Sequence, residues 1–369
     1  MNKMWMDNIL IEDNKGYFTG GEVNALFECD TVNQTSKIIA NIPNSDFFAG
    51  RQYRASCKLD DKIFLLPIYG DRIYVYHLED GKFTSILLGE NCINPRIMLV
   101  HIYDGIIYAI SNEYKTIISI NPEAEEVIFV LDVEGTENNS AFVGIYAETC
   151  NIYMVSVGSN KIINYNLQKK NFEYIELPGK SIRSCLINQG DIWLLDSLKR
   201  VIRCKANTGE NIIIDDFKSD ISNIYGEKSE DKFPWFIRLV DSADYIWCIP
   251  YKADNIICIN KKTNKANVFQ IENEEEDEET LQRTLPHKYL IVYEYENRYL
   301  GLCSLKNNCI YEIDMEKLVY NTIDMKLELE TEKYINEAFC NTQLKHEGML
   351  REDKNIGLGE FLMYLKGNK

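Results

Sequence analysis

Two stretches far apart in the chain read as one phrase: Asp61-Lys62-Ile63-Phe64-Leu65-Leu66-Pro67 and Asp244-Tyr245-Ile246-Trp247-Cys248-Ile249-Pro250. Each passes through a Tyr and a polar turn into a second apolar run, Arg72-Ile73-Tyr74-Val75-Tyr76 or Asn255-Ile256-Ile257-Cys258-Ile259. Short runs of β-branched and aromatic residues joined by a polar turn signal a β-hairpin. Working outward, an aromatic followed 13 positions later by Asp, Asn or His recurs at Tyr17/Asp30, Phe64/His77, Tyr108/Asn121, Tyr153/Asn166 and Trp247/Asn260. Trp193 opens a unit one residue shorter, through Val201-Ile202-Arg203-Cys204 to Asn207-Thr208-Gly209. The last unit carries Gly301 in the aromatic slot and Asp314 in the polar one.

The anchors at 17, 64, 108, 153, 193, 247 and 301 are separated by 47, 44, 45, 40, 54 and 54 residues. These steps bracket the ~40–50-residue period of four-stranded propeller blades. The fold class predicted is all-β, a seven-bladed β-propeller with a short C-terminal helical tail. The propeller occupies 1–325, with units near 5–44, 52–90, 96–132, 141–178, 181–217, 235–272 and 287–325, and the tail occupies 326–369. In the third unit the strands are expected at 97–103, 106–111, 116–120 and 127–131. The recurring Asp or Asn is expected to begin the hairpin turn and bond nearby backbone N–H groups. The recurring aromatic is expected to pack between blades.

The repeats resemble the kelch and PQQ-like (quinoprotein-like) propeller superfamilies in architecture, over residues ~5–325. The nearest local match is Tyr17-Phe18-Thr19-Gly20-Gly21 followed by Leu26-Phe27-Glu28-Cys29-Asp30. The glycine pair occurs once, the closing Trp of many such repeats is missing, and no Trp-Asp ends the units as in WD40 repeats. The resemblance implies the fold and carries over no catalytic or cofactor residue.

Composition narrows the function classes. The formal charge is −17 and no Lys/Arg block appears, so binding to a phosphate backbone is disfavoured. The eleven cysteines are odd in number with no C-x-x-C pair, and several lie inside apolar strands. That usage suits small hydrophobes in a reducing compartment, the cytoplasm, more than a disulfide framework. No run approaches ~20 apolar residues, so no membrane span is expected, and the first residues lack a signal-peptide core. Two longer steps locate insertions, a polar one at 218–231 and another carrying the acidic run Glu274–Glu279, read as a solvated loop. Beyond ~326 the alternation stops. Residues 330–344 read as helix, and Ile356, Leu358, Phe361, Leu362 and Leu365 fall on one face of a second helix. That face is expected to pack on the propeller or to dock a partner or a second copy, giving a homo-oligomer.

No phosphate loop, nucleophile elbow or H-E-x-x-H pair is present, and His77, His101, His287 and His346 are isolated. Propeller sites gather single residues from several blades and leave no local signature. The first strand of each blade lines the central channel, and its start shares a face with the loop joining strands two and three. Several units place a cation there, namely Arg51, Arg54, Arg96, Arg183, Arg238 and Lys288, with Tyr53, Trp235, Phe236 and Tyr289 beside them. The second-to-third loops add Tyr69, Asp71, Tyr114, Lys115, Lys199, Arg200, Tyr251, Lys252 and Asp254. Converging guanidinium groups focus anions and suit carboxylates and phosphates, while aromatic faces suit a sugar or ring.

The candidate ligand-binding residues are therefore Arg54, Arg96, Arg183, Arg238, Tyr53, Trp235, Tyr69, Tyr251 and Lys252. The competing expectation is that these arginines pair with carboxylates between blades. The function expected is non-catalytic recognition or scaffolding of a protein or an anionic, sugar-like ligand, with no cofactor and no metal. The alternative is a metal-assisted lactonase, lyase or glycan-processing enzyme using oxygen ligands such as Glu22, Asp71, Glu113 and Asp254.

Overall fold

The computed structural model describes residues 6–346 apart from 13, 51, 90–91, 134–141, 157–158, 178–181, 197, 206–207, 225–234, 272–287 and 305–308. Seven antiparallel sheets follow one another along the chain. Blade 1 is β1 (Met6–Glu12), β2 (Lys15–Gly20), β3 (Ala25–Asp30) and β4 (Thr35–Asn41). Blade 2 is β5 (Tyr53–Leu59), β6 (Lys62–Pro67), β7 (Arg72–His77) and β8 (Lys82–Leu87). Blade 3 is β9 (Ile97–Tyr103), β10 (Ile106–Ser111), β11 (Thr116–Asn121) and β12 (Glu126–Asp132). Blade 4 is β13 (Phe142–Glu148), β14 (Asn151–Ser156), β15 (Lys161–Asn166) and β16 (Asn171–Glu176). Blade 5 is β17 (Ile182–Asn188), β18 (Asp191–Asp196), β19 (Val201–Cys204) and β20 (Asn211–Ile214). Blade 6 is β21 (Phe236–Asp241), β22 (Tyr245–Pro250), β23 (Ile256–Asn260) and β24 (Ala266–Phe269). Blade 7 is β25 (Tyr289–Tyr295), β26 (Tyr299–Ser304), β27 (Ile310–Asp314) and β28 (Val319–Ile323). A two-residue strand, β29 (Lys326–Leu327), and helix α1 (Leu329–His346) follow.

Neighbouring blades pack through their faces, and β25 lies against β1, so the ring is closed. The apolar core is accordingly divided among the blade interfaces. Tyr17, Leu26, Ile63 and Leu65 fill the space between blades 1 and 2. Trp247, Ile249, Leu300 and Leu302 fill that between blades 6 and 7. The second and third strands of a blade are covered on both faces, which is why they read as unbroken apolar runs such as Ile-Phe-Leu-Leu in β6. Outer strands have one solvated face, and β12 alternates exposed and half-buried residues along its length.

The recurring aromatics Phe64, Trp193 and Trp247 are wholly buried, and Tyr17, Tyr108 and Tyr153 nearly so. The polar slot builds the outer turn. Asp30 Oδ1 accepts from the N–H groups of Val32 and Asn33, and Asn260 Oδ1 from those of Lys262 and Thr263. Asn121 and Asp314 repeat the arrangement. His77 departs from it: its ring meets Thr84, and Asp80 caps the Lys82 N–H instead.

The four main strands of each blade are consecutive in the chain. The fifth strand of blade 1 comes from the far end, because β29 pairs parallel with β4, placing Lys326 opposite Thr35 and Leu327 opposite Ser36. Lys326 N–H donates to Gln34 O and Glu328 N–H to Ser36 O, each at 2.9 Å. Helix α1 then lies against blade 1, where Thr331 Oγ1 accepts from Ile38 N–H at 3.2 Å and Ile335 joins the core of Met6, Ile9 and Phe27. The expected second helix and the acidic run at 274–279 lie outside the described residues.

Candidate functional site

The inner strands enclose a cavity of about 320 Å³ along the ring axis, and all seven blades contribute to its wall. Blade 1 supplies Asn8, blade 2 Arg54, Ala55 and Ser56, and blade 3 the run Ile97 to Val100. Blade 4 adds Phe142 and Ile145, blade 5 Ser184, blade 6 Ile237 and Arg238, and blade 7 Ile291. The wall therefore mixes apolar side chains with the polar groups of Asn8, Ser56 and Ser184 and with two guanidinium groups, those of Arg54 and Arg238.

A local irregularity decides which side chains reach this wall. Pairing of the inner strand with its neighbour slips by one residue between Tyr53 and Ala55, between Ile182 and Ser184, and between Phe236 and Arg238. The slips place a bulge at Arg54, Arg183 and Ile237. Because a one-residue shift exchanges the two faces of a strand, Arg54 enters the channel wall. Tyr53 turns away from it: it is buried between blades 1 and 2, edge-on to Tyr74 at 5.7 Å. Tyr53 thus presents no ring at the mouth, contrary to the sequence expectation.

The other expected residues distribute as follows. Arg238 is in the wall, and its Nη1 lies 3.0 Å from Glu294 of blade 7. Arg96 sits outside the wall and faces Glu113 at 3.5 Å, both side chains half exposed. These two contacts are the carboxylate pairing anticipated as the competing role. Arg183 lies at its bulge, with a buried Nε that lacks a hydrogen-bond partner. Tyr69 is exposed on the second-to-third loop of blade 2. Burial raises the Tyr251 hydroxyl pKa, and the Arg54 charge opposes that rise, so the influence of blade 2 reaches across the mouth to blade 6.

Trp235 forms the most built part of the mouth. Its carbonyl accepts the N–H groups of Tyr251, Lys252 and Ala253 at 2.9, 3.3 and 3.2 Å. Its ring carries Lys199 Nζ at 3.4 Å and Lys252 Nζ at 4.8 Å from the centroid. Lys252 is only 2 % exposed, so it offers no open ammonium group at the surface. The first part of the 218–231 insertion folds onto the same loop, with Ser222 bonded to the Asp254 carboxylate and Asn223 bridged to Ala253.

Sequence reasoning missed the wall residues Asn8, Ser56 and Ser184, and also Glu294. Asn8 Nδ2 donates to Ser56 Oγ at 2.7 Å, and Ser184 Oγ accepts from Leu239 N–H at 3.3 Å, so these small groups join adjacent inner strands. Nothing in the repeat marks them. The carboxylates Glu22, Asp71, Glu113 and Asp254 do not converge, and among the described residues no group of three or more His, Cys, Asp or Glu is placed to hold a metal ion. Asp71 is instead held by Arg72, whose Nε donates to it at 2.9 Å and lowers its pKa. No described helix is long and apolar enough to cross a membrane.

The ring of four-stranded blades makes the chain a seven-bladed β-propeller. No family model matches it, and no curated protein matches it in sequence. Among solved structures, a streptogramin B lyase aligns with a TM-score of 0.55 at 15% identity, over 84% of this chain and 93% of that one. The computationally designed Ika8 protein aligns at 0.55 and 10% identity, covering 88% of each chain. A chain of the mitotic checkpoint complex aligns at 0.52 and 10% identity, over 82% and 90%. Likenesses this distant in sequence establish the fold alone.

Proposed function

We propose that this protein is a recognition or scaffolding propeller whose channel face binds a partner protein or a small anionic, sugar-like ligand. The observation that carries the reading is the arrangement of Arg54 and Arg238 among apolar and small polar side chains in a wall to which every blade contributes. Concave, largely apolar cavities with a few placed polar groups are the usual form of ligand sites. A guanidinium in such surroundings attracts carboxylate or phosphate more strongly than one in open water. The Trp235 ring at the same mouth holds the Lys199 ammonium, which adds positive charge beside the channel. The cysteines form no disulfide, which accords with a reducing compartment, taken in this reading to be the cytoplasm.

The test is a thermal-shift screen of the purified protein against acidic sugars, sugar phosphates, acidic peptides and divalent metals. A ligand at ~100 times its Kd stabilises the fold by about 2.7 kcal/mol. The expected result is a shift with an anionic compound that disappears in Arg54→Ala/Arg238→Ala. Full retention of that shift in the double variant removes the channel from the reading. Glu294→Gln releases the carboxylate facing Arg238 and is expected to tighten the same binding.

A further inference from the structure

The described loop residues above blades 2 and 3 bring exposed apolar side chains together at the channel mouth. Tyr69, Ile93 and Tyr114 are 46 %, 54 % and 40 % exposed, although each is large and apolar in body. Single exposed apolar residues need no explanation, but a group of them at a mouth points to an interaction site. Their positions are set by hydrogen bonds. The segment joining blades 2 and 3 is gripped on one side by Gly70, whose N–H donates to Asn94 Oδ1 and whose carbonyl accepts from Asn94 N–H, both at 2.7 Å. On the other side the Tyr114 hydroxyl donates to Ile93 O at 2.5 Å and accepts from Ile93 N–H at 3.2 Å. The polar groups are thus satisfied within the loops while the hydrocarbon faces stay outward. Met98, 45 % exposed, continues the surface into the channel wall.

Charge indicates the occupant. Among the described residues around this surface, Arg72 pairs with Asp71 and Arg96 with Glu113, while Arg54 and Lys115 bring further positive charge to a chain of −17. We propose that this rim docks an acidic segment of a partner protein, one that lays an aliphatic or aromatic side chain on Tyr69, Ile93 and Tyr114 between flanking carboxylates. The proposal deepens the channel-face reading and rests on it. An extended segment suits the surface because alternate side chains fall on one side of a strand. Preorganised loops bind it without an ordering cost. An anionic bilayer presents the same chemistry, but it brings an extended charged surface against the whole chain of −17, whereas a short segment meets only the rim.

The experiment uses a fluorescent array of short peptides in three compositions: acidic with Leu or Phe, acidic without an apolar residue, and basic with Leu or Phe. Anisotropy is read against the full chain. The acidic apolar peptides are expected to bind best, Ile93→Asp to weaken them about tenfold or more, and Tyr114→Phe to weaken them less. Tyr114→Phe keeps the ring and loses only the clamp, so it reads preorganisation separately from contact. Equal binding of all three compositions, or acidic peptide binding indifferent to Ile93→Asp, overturns the proposal. If peptide binding falls only in Arg54→Ala/Arg238→Ala, the channel reading stands and the rim proposal fails. Absence of peptide binding overturns it as well. In that case, cosedimentation with phosphatidylserine vesicles that Ile93→Asp abolishes assigns the rim to a lipid surface.

Discussion

The ring of Tyr293 on β25 lies across Gly301 on β26, in the volume a Cβ there would fill. The two residues are paired across the strands, and the Tyr293 hydroxyl passes over Gly301 to donate to Glu312 Oε2 on β27 at 2.8 Å. Burial drives the hydroxyl pKa upward, with the Glu312 carboxylate adding to the shift. Six blades carry their aromatic on the second strand; blade 7 borrows its from the first.

Gly301→Ala must therefore push the Tyr293 ring out of place. The expected cost is about 1–3 kcal/mol, as for overpacked cores, seen as a lower urea midpoint with unchanged slope. Tyr293→Phe keeps the ring and loses the Glu312 bond, for about 1 kcal/mol. A Gly301→Ala chain as stable as wild type contradicts this packing.

β29 and α1, which follow blade 7 in the chain, dock on blade 1 through the β29–β4 pairing and the Thr331 and Ile335 contacts, and so clasp the two terminal blades together. Ile335→Ala leaves a cavity among Met6, Ile9 and Phe27 and is expected to cost about 2–5 kcal/mol. Hydrogen exchange checks the location. Loss of protection is expected first in β1–β4, and uniform loss across all seven blades would rule out a local clasp.

Stability in acid follows the Asp314 carboxyl, which a hydrogen bond from Arg298 and the turn N–H of Lys317 hold at about 2, below its ordinary 3.8. A carboxyl lowered in the folded state contributes stability above its unfolded pKa and loses it as pH falls through the folded value. The contribution is expected to fade between pH ~4 and ~2. In Arg298→Ala the fading is shallower. Parallel urea-midpoint curves for the two proteins across this range would remove the linkage.

Nine of the eleven thiols are buried, and Cys150 and Cys204 are half-buried. Burial pushes the Cys57 and Cys185 thiols up to about 12, so they stay protonated and unreactive at neutral pH. Iodoacetamide mapping by mass spectrometry is expected to label Cys150 and Cys204 in the folded protein and the others only after unfolding. Rapid labelling of Cys185 or Cys248 would place the inter-blade packing in error.

The sequence alone determined the number of blades, the four strands of each and the turns between them, because these depend on local periodicity and short-range bonding. The strands of blade 3 fall within a residue or so of their expected limits, β9 at Ile97–Tyr103 and β10 at Ile106–Ser111 on them. The β29–β4 clasp depended on tertiary structure, since two residues at 326–327 carry no periodicity and find their partner some 290 positions away. So did the lining of the channel. Arg54 and Tyr53 are adjacent in sequence, yet a bulge turns one toward the axis and the other into the core. A bulge is a feature of the pairing between two strands, and the residues of one strand alone do not mark where it falls.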